Sequence, residues 1–369
     1  MNGKTSLIAI GAFLIGLGIG YGIFAATVQQ QLQNQQIQIA SLQAEVSKLK
    51  GTTAGQSIMP AAPIPDAAKG PAIDPEKGYL VEEIKDGLYW VTEGAYQVMF
   101  LTTGEGVIVV DAPPTIGENV LKAIGEVTDE PITHVIYSHF HADHIAAASI
   151  LPNDAVIIAH EDTAEHLAHA SSPSRSYTFG SFVGGSPVLP PTVTFSDSYM
   201  LTLGSQTLEL AYKGPVHVPG SIFIYAPQQK VLMLVDVVFP GWSPFKDLAM
   251  TEHVPAFIAA HDLILEYEFD TFIGGHLTRL GTPEDVKIQR EYIQDIQANA
   301  ATAFQTVDFF AIAEQTGFEN SWLLFDTYLE AVIQSCTDAT VPHWIDRLGG
   351  VDVFTDDHCF KIAESLRID

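Results

Sequence analysis

Residues 138–147 read SHFHADHIAA and place three histidines and one aspartate within six positions: His139, His141, Asp143 and His144. Imidazole nitrogens and carboxylate oxygens are the donors of divalent-metal sites, at about 2.0–2.2 Å from the ion. One ion takes three or four donors. Four donors in one hexapeptide are too few for two complete sites and more than one ion usually draws from a single loop. The loop therefore predicts partners elsewhere in the chain. Three candidates fit: His217 in GPVHVPGS, Asp236 in VLMLVDVVF and His276 in FIGGHLTR. Each ends, or closely follows, an apolar run.

Those runs indicate the elements that must position the donors. ITHVIYS, before the loop, reads as a buried strand, and HIAAASIL, after it, as the first turns of a helix. From Tyr79 onward, LVEEI, GLYWVT, AYQVMFLTT and GVIVVDAP read as successive strands with glycine-containing turns, followed by a helix in IGENVLKAIGEV. VTFSDSYMLTLGSQTLELAY, SIFIYAP and KVLMLVD form a second strand-rich half, followed by helix VPAFIAAHDLIL and strand FDTFIGG. Two such halves predict two sheets packed face to face with helices on their outer faces. The candidate ligands then share one edge of the sheets. From Thr282 the chain reads as mostly helical, with amphipathic runs in PEDVKIQREYIQDIQANAATAF and NSWLLFDTYLEAVIQS.

The H-x-H-x-D-H pattern with its three ordered partners resembles the metallo-β-lactamase superfamily of αββα hydrolases, over roughly residues 79–286. The resemblance implies an α+β fold, an αββα sandwich, to which this chain's own apolar and amphipathic runs add an expected N-terminal transmembrane anchor and helical C-terminal extension. It implies that His139, His141 and His217 bind a first metal, that Asp143, His144 and His276 bind a second, and that Asp236 bridges them. Asp111, closing GVIVVD, matches an early structural aspartate of the family. The implied cofactor is a pair of divalent ions, zinc first, with manganese or iron as alternatives. Two adjacent ions lower the pKa of a shared water and polarise a carbonyl. Asp143 would then help to orient the nucleophile, and no serine or cysteine nucleophile is required. The expected reaction is hydrolysis of an ester, lactone, thioester or amide.

Within that family, aspartate at 236 matches the lactonase-like and glyoxalase-like branches, whereas lactamases commonly carry cysteine or serine there. Phe239 stands where one lactamase branch has a lysine and the lactonases a tyrosine. The expectation is a membrane-anchored dinuclear-zinc hydrolase acting on a lactone or ester. β-Lactam hydrolysis, an iron-dependent sulfur dioxygenase and a non-catalytic tethered binding protein are the alternatives. Phe239, Trp242 and Phe245, in FPGWSPFKDLAM, are candidates to line an acyl pocket. Arg279 is a candidate partner for a substrate carboxylate, against a structural salt bridge. His160, after strand VIIAH, resembles a structural position of the family. His166 and His169 read as a solvated helix face. His134, His253, His261, His343 and His358 read as hydrogen-bonded structural residues.

The chain has 369 residues, with 44 acidic and 17 basic side chains and a formal charge of −27. Such a surface repels phosphate backbones, which argues against nucleic acid and for a small-molecule substrate as partner. The two cysteines, Cys336 and Cys359, are too few for a disulfide scaffold. They are expected either to pair in an oxidising compartment or to stay as buried thiols.

Residues 7–26 are 20 positions without a charge, enough to cross a bilayer as a helix. Lys4 precedes them and no basic residue follows until Lys48, which predicts a cytoplasmic N-terminus and an extracytoplasmic catalytic part. A cleaved signal peptide, giving a secreted protein, is the rival reading. In residues 28–50, Val28, Leu32, Ile39, Leu42, Val46 and Leu49, with Gln35 in the polar slot, form a heptad seam. It predicts a homo-oligomer, against a lone amphipathic helix. The expected organisation is an anchor at 1–26, a coiled-coil segment at 27–50, a Pro/Ala-rich linker at 51–78, the hydrolase-type domain at 79–285 and the helical extension at 286–369.

Overall fold

Alternating side chains along single strands sort this chain's interior into layers. The computed structural model describes residues 61–172 and 176–369. The expected anchor, the heptad segment and the first part of the linker lie outside the described residues. Among those described, no helix is long and apolar enough to cross a membrane.

Strands β1 (Leu80–Lys85), β2 (Leu88–Thr92), β3 (Gln97–Thr102), β4 (Val107–Val110), β5 (Ile132–Ile136), β6 (Val156–His160) and β7 (Val193–Phe195) form a seven-stranded sheet in that order. Its first four strands pair antiparallel, and β4 to β7 run parallel. Strands β8 (Ser198–Leu203), β9 (Gln206–Ala211), β10 (Phe223–Ala226), β11 (Val231–Met233) and β12 (Thr271–Ile273) form a five-stranded sheet ordered β12-β11-β10-β9-β8.

The period of two along a strand sends neighbouring residues to opposite faces. In β3, Val98 and Phe100 cluster with Val120, Ile124 and Leu167. Those three come from helices α1 (Asn119–Val127) and α3 (Glu161–Ala170); α2 (Ala142–Ile145) lies between them in sequence. Met99 and Leu101 of the same strand pack instead with Leu208, Ile224 and Met233 of the second sheet. In β11, Val231 and Met233 face that inter-sheet core, while Leu232 packs with Phe257, Ile293 and Ile296. The result is a four-layered α+β sandwich, helix on sheet on sheet on helix, with the C-terminal helices in the fourth layer.

That fourth layer holds α4 (Lys246–Met250), α5 (Val254–Leu265), α6 (Pro283–Thr306), α7 (Phe309–Thr316), α8 (Ser321–Trp344) and α9 (Val351–Ile368). A capping box of Thr282 and Asp285, with Pro283 in the first turn, starts α6. A disulfide joins Cys336 of α8 to Cys359 of α9, with a Cα–Cα separation of 6.0 Å. Val286, Tyr292, Trp344 and Ile362 share one core cluster with Phe223 and Leu232. Residues 286–369 are mostly helical, as expected from sequence, and their buried side chains join the core of the sandwich.

Residues 61–78 also depart from a free tether. Ala68 is buried, and its carbonyl accepts hydrogen bonds from Trp242 Nε1 at 2.9 Å and Thr278 Oγ1 at 2.6 Å. The backbone N–H of Ala62 donates to Asp352 at 2.7 Å. Gly70 permits this contact: a Cβ there would lie 1.7 Å from the Thr278 carbonyl oxygen. An Ala/Pro-rich segment offers mainly backbone groups, and here side chains of the sandwich bond them.

Two buried histidines in the fourth layer give the fold an acid-sensitive element. His261 donates from Nδ1 to the Ile258 carbonyl and accepts at Nε2 from Gln289. His358 donates from Nε2 to the Phe245 carbonyl, and its Nδ1 faces the Tyr292 hydroxyl at 2.8 Å. Burial pushes both imidazoles down to about 4. In the unfolded chain they titrate near about 6.5, so their neutral burial costs nothing above that pH. Below it the unfolded state binds more protons, and stability falls until about pH 4. Between pH 7 and pH 5 each histidine should lower stability by about 2 kcal/mol. Urea titrations at both values should show a flatter pH slope for His358→Gln than for the unmodified chain; equal slopes would contradict the assignment.

Candidate metal centre

Four strand ends carry the donors. The loop after β5 presents His139 and leads through His141, the N-cap of α2, into Asp143 and His144. His217 lies between β9 and β10, and Asp236 follows β11. Asp236 and Asp111, which follows β4, both take left-handed backbone angles, with φ of 64° and 65°. Aspartate tolerates that conformation better than most residues. His276 follows β12 after Gly275, where a Cβ would lie 2.6 Å from Val235 Cγ1, so glycine allows the turn to close.

Asp236 stands at the middle of the cluster. Its Oδ2 lies 3.3 Å from His139 Nε2, 3.4 Å from His217 Nε2, 3.9 Å from His141 Nδ1 and 3.2 Å from His144 Nε2. Its Oδ1 lies 2.8 Å from His276 Nε2. His139, His141, His217 and Asp236 form one group, and Asp143, His144 and His276 a second, with the donor atoms of each group within 4.8 Å of one another. The fold thus brings together all seven ligands expected from sequence.

The donor chemistry suits divalent ions. Two pairs of ring nitrogens face each other, His144 Nε2 with His276 Nε2 at 3.0 Å and His217 Nε2 with His141 Nδ1 at 3.2 Å. Facing lone pairs need a proton or a cation between them. His139 Nε2 and Asp236 Oδ1 are buried without an aligned hydrogen bond. Burial holds His139 down to about 4 and His217 well below its ordinary value, so both are neutral and ready to donate lone pairs. Burial also disfavours charge on His144, but Asp236 and Asp143 outweigh it and lift that ring to about 9. A metal entering there would displace a proton.

Asp111 braces the histidine loop. It is fully buried, and Oδ1 accepts from the Ser138 backbone N–H at 2.8 Å, while the Ala112 N–H donates to the His144 carbonyl at 2.8 Å. His160 caps α3 through Asp162 N–H and contacts the Ser196 carbonyl, away from the donors.

Two contributors were not legible as site residues in the sequence. Tyr96, just before β3, donates its hydroxyl to Asp143 Oδ2 at 3.1 Å, and its ring lies 4.5 Å from that of His276. In AYQVMF it reads only as part of a strand. Gln289 donates to the Val237 carbonyl at 2.6 Å and accepts from the Phe239 N–H at 2.9 Å, pinning the segment after Asp236. A glutamine on the apolar stripe of α6 was the available signal. Tyr96→Phe should leave the fold intact and lower kcat by about 10–100-fold, the usual effect of losing a ligand's hydrogen-bond partner. Steady-state kinetics and metal content check this; unchanged kcat would show that the hydroxyl is dispensable.

A cavity of about 340 Å³ opens in front of Asp143, Asp236 and His276. Phe239, Trp242 and Phe245 lie on its wall, with Met250 from α4 and Phe354 from α9. In α4, Asp247, Leu248 and Ala249 run left-handed, at φ of 54°, 55° and 57°. The turn is held by the burial of Leu248 and by Thr251, which donates to the His217 carbonyl at 2.9 Å. Arg279 is not among the wall residues; it makes a structural salt bridge, the role that the sequence reading set against a place in the pocket. Asp285 pairs with its guanidinium at 2.5 Å, and Nε donates to the Ala67 carbonyl at 2.6 Å. Its donors are used in fixing the start of α6 and the segment before β1.

Comparison with known proteins agrees with this geometry. The family model of the metallo-beta-lactamase superfamily matches residues 91–285. The α subunit of 2,4-dinitroanisole O-demethylase from a Nocardioides species is 27% identical over 245 residues, 64% of this chain and 67% of that one. A linear primary-alkylsulfatase from a Pseudomonas species is 26% identical over 167 residues, covering 36% of this chain but only 31% of the sulfatase. The solved structure of a stereoselective inverting sec-alkylsulfatase from Pseudomonas sp. superposes with a TM-score of 0.54 over 77% of this chain and 50% of its own, at 16% identity. That likeness is one of fold.

Proposed function

The chain belongs to the metallo-beta-lactamase superfamily, and from that premise we propose that it is a dinuclear metal-dependent hydrolase of an ester or lactone. The observation that carries the reading is the pair of donor groups around Asp236, opening on an apolar cavity. His139, His141 and His217 would hold one ion, Asp143, His144 and His276 the other, and Asp236 both. A bound pair of zinc ions, or of manganese or iron, supplies an acidified water and a Lewis acid for the carbonyl. The protein's own part is to place the substrate and to handle the proton. Asp143 Oδ2, fixed by the Tyr96 hydroxyl, is placed to take a proton from the attacking water and return it to the departing alcohol. One water is consumed and the acyl C–O bond breaks, giving an acid and an alcohol from an ester, or a single hydroxy acid from a lactone.

A second reading is cleavage of an activated aryl ether. The O-demethylase relative and the aromatic wall favour it. β-Lactams fit less well, because Arg279 is committed to Asp285 and, among the described residues, no lysine or arginine lines the wall to meet their carboxylate. The same proposal tethers the catalytic part outside the cytoplasm through residues 7–26, with self-association through residues 28–50. The disulfide supports that placement, since such bonds persist in oxidising compartments.

Residues 61–369 form one compact unit. That unit, loaded in turn with zinc, manganese and iron, should be assayed on an aryl acetate, an acyl lactone, 2,4-dinitroanisole and a chromogenic cephalosporin. The highest kcat/KM is expected on the acetate or the lactone. Turnover of dinitroanisole alone would establish the second reading, and a preference for the cephalosporin would overturn both.

A further inference from the structure

We propose that the cavity beside the metal centre accepts an uncharged apolar body, an aryl or branched alkyl group, and rejects substrates with a charge placed away from the bond that is cut. The inference rests on the hydrolase reading and adds what the rest of the substrate must be. Phe239, Trp242, Phe245, Met250 and Phe354 line the cavity. Among the described residues that line it, none is lysine or arginine. The nearby cations in sequence are engaged elsewhere: Lys246 bonds Asp357 at 2.9 Å, and Arg279 holds Asp285.

The polar side chains of the wall outside the donor set are also spoken for. The Tyr96 hydroxyl donates to Asp143, Ser243 Oγ donates to the Gly349 carbonyl at 3.2 Å, and Trp242 Nε1 donates to the Ala68 carbonyl at 2.9 Å. A carboxylate or ammonium held against that wall would give up part of its water and gain no side-chain partner there. For an anion, the formal charge of −27 adds repulsion at longer range. A neutral ring meets aromatic edges and faces instead, which is the favoured packing of such groups. At about 340 Å³ the cavity lies in the lower part of the range for small-molecule sites, about 300–1,000 Å³.

The test uses two esters that share one scissile bond and leaving group, 4-nitrophenyl butyrate and mono-4-nitrophenyl succinate, on the metal-loaded protein. The neutral ester should show a kcat/KM higher by about tenfold or more, reflecting the cost of an unpaired charge. Val353→Arg puts a cation at the cavity mouth, where Val353 is half exposed, and should shrink or reverse that ratio. A binding arm separates this inference from the hydrolase reading. 4-Phenylbutanol should perturb Trp242 fluorescence, 4-phenylbutyrate should not, and the response should vanish in Trp242→Phe. If neither ester turns over but the alcohol alone binds, the hydrolase reading fails and the cavity inference stands. Equal turnover of the two esters, tighter binding of the carboxylate, or no fluorescence response to the alcohol would overturn it.

Discussion

A protein with both His139 and His141 replaced by alanine should fold, hold one divalent ion fewer and turn over substrate at least about 1,000-fold more slowly than the unmodified chain. Losing an outer partner of a ligand typically costs about 10–100-fold, so losing two direct ligands should cost more. Only His217 and Asp236 would remain in the first donor group, below the three or four donors that an ion takes. Folding should survive. His139 is a buried imidazole held neutral, and His141 is partly exposed, so neither anchors the core. Metal analysis by mass spectrometry, circular dichroism and kcat/KM measured together decide the matter. A folded double variant with full activity would refute the metal-dependent mechanism. His276→Ala should instead deplete the second group and spare the first.

Ending the chain after residue 285 should abolish folding, although the family match stops there. Tyr292, Ile293 and Ile296 of α6 and Trp344 of α8 are buried against α5 and the second sheet. Each buried side chain of this size contributes about 1.5–3 kcal/mol. Those four together approach the roughly 5–15 kcal/mol that holds a whole domain folded. The truncation would also remove Gln289, and with it the bonds that pin Val237 and Phe239 beside Asp236. Expression of residues 61–285 should give insoluble or unfolded protein, read by circular dichroism and dye binding. A cooperative thermal transition in that fragment would show that the sandwich stands alone.

The donor set was legible in sequence because ligands at strand ends leave a local trace: an apolar run, then a histidine or aspartate. His217, Asp236 and His276 each carry that trace, whereas residues 98–101 of β3 and all of β11 are apolar without alternation, so which of them face the inter-sheet core was not legible in sequence. Tyr96 carries none, because it reaches Asp143 only once β3 lies beside the histidine loop. Arg279 illustrates the converse. Its proximity to His276 in sequence left both a cavity role and a structural salt bridge open, and Asp285 and the Ala67 carbonyl take its donors. Residues 61–78 read as a tether because many of their bonds to the sandwich are made by backbone groups, which composition does not reveal. The share of α9 in the cavity depends on helix packing across the fourth layer, a contact at long sequence range. Phe239, Trp242 and Phe245 were chosen by nearness to Asp236, and all three lie on the cavity wall.

The contribution of α9 to that wall bears on how the protein comes into being. A chain is made from its N-terminus, at about 5–20 residues per second. The histidine loop therefore emerges well before Gly350, Val353 and Phe354, which line the cavity beside it. Because the sandwich needs those last helices to fold, its early donors wait for the residues that also wall the cavity. Competence for turnover should therefore appear only after α9 has been made, and chains arrested between Asp236 and Gly350 should neither fold nor turn over substrate. In this protein the order of the residues along the chain is also a schedule for the assembly of its site.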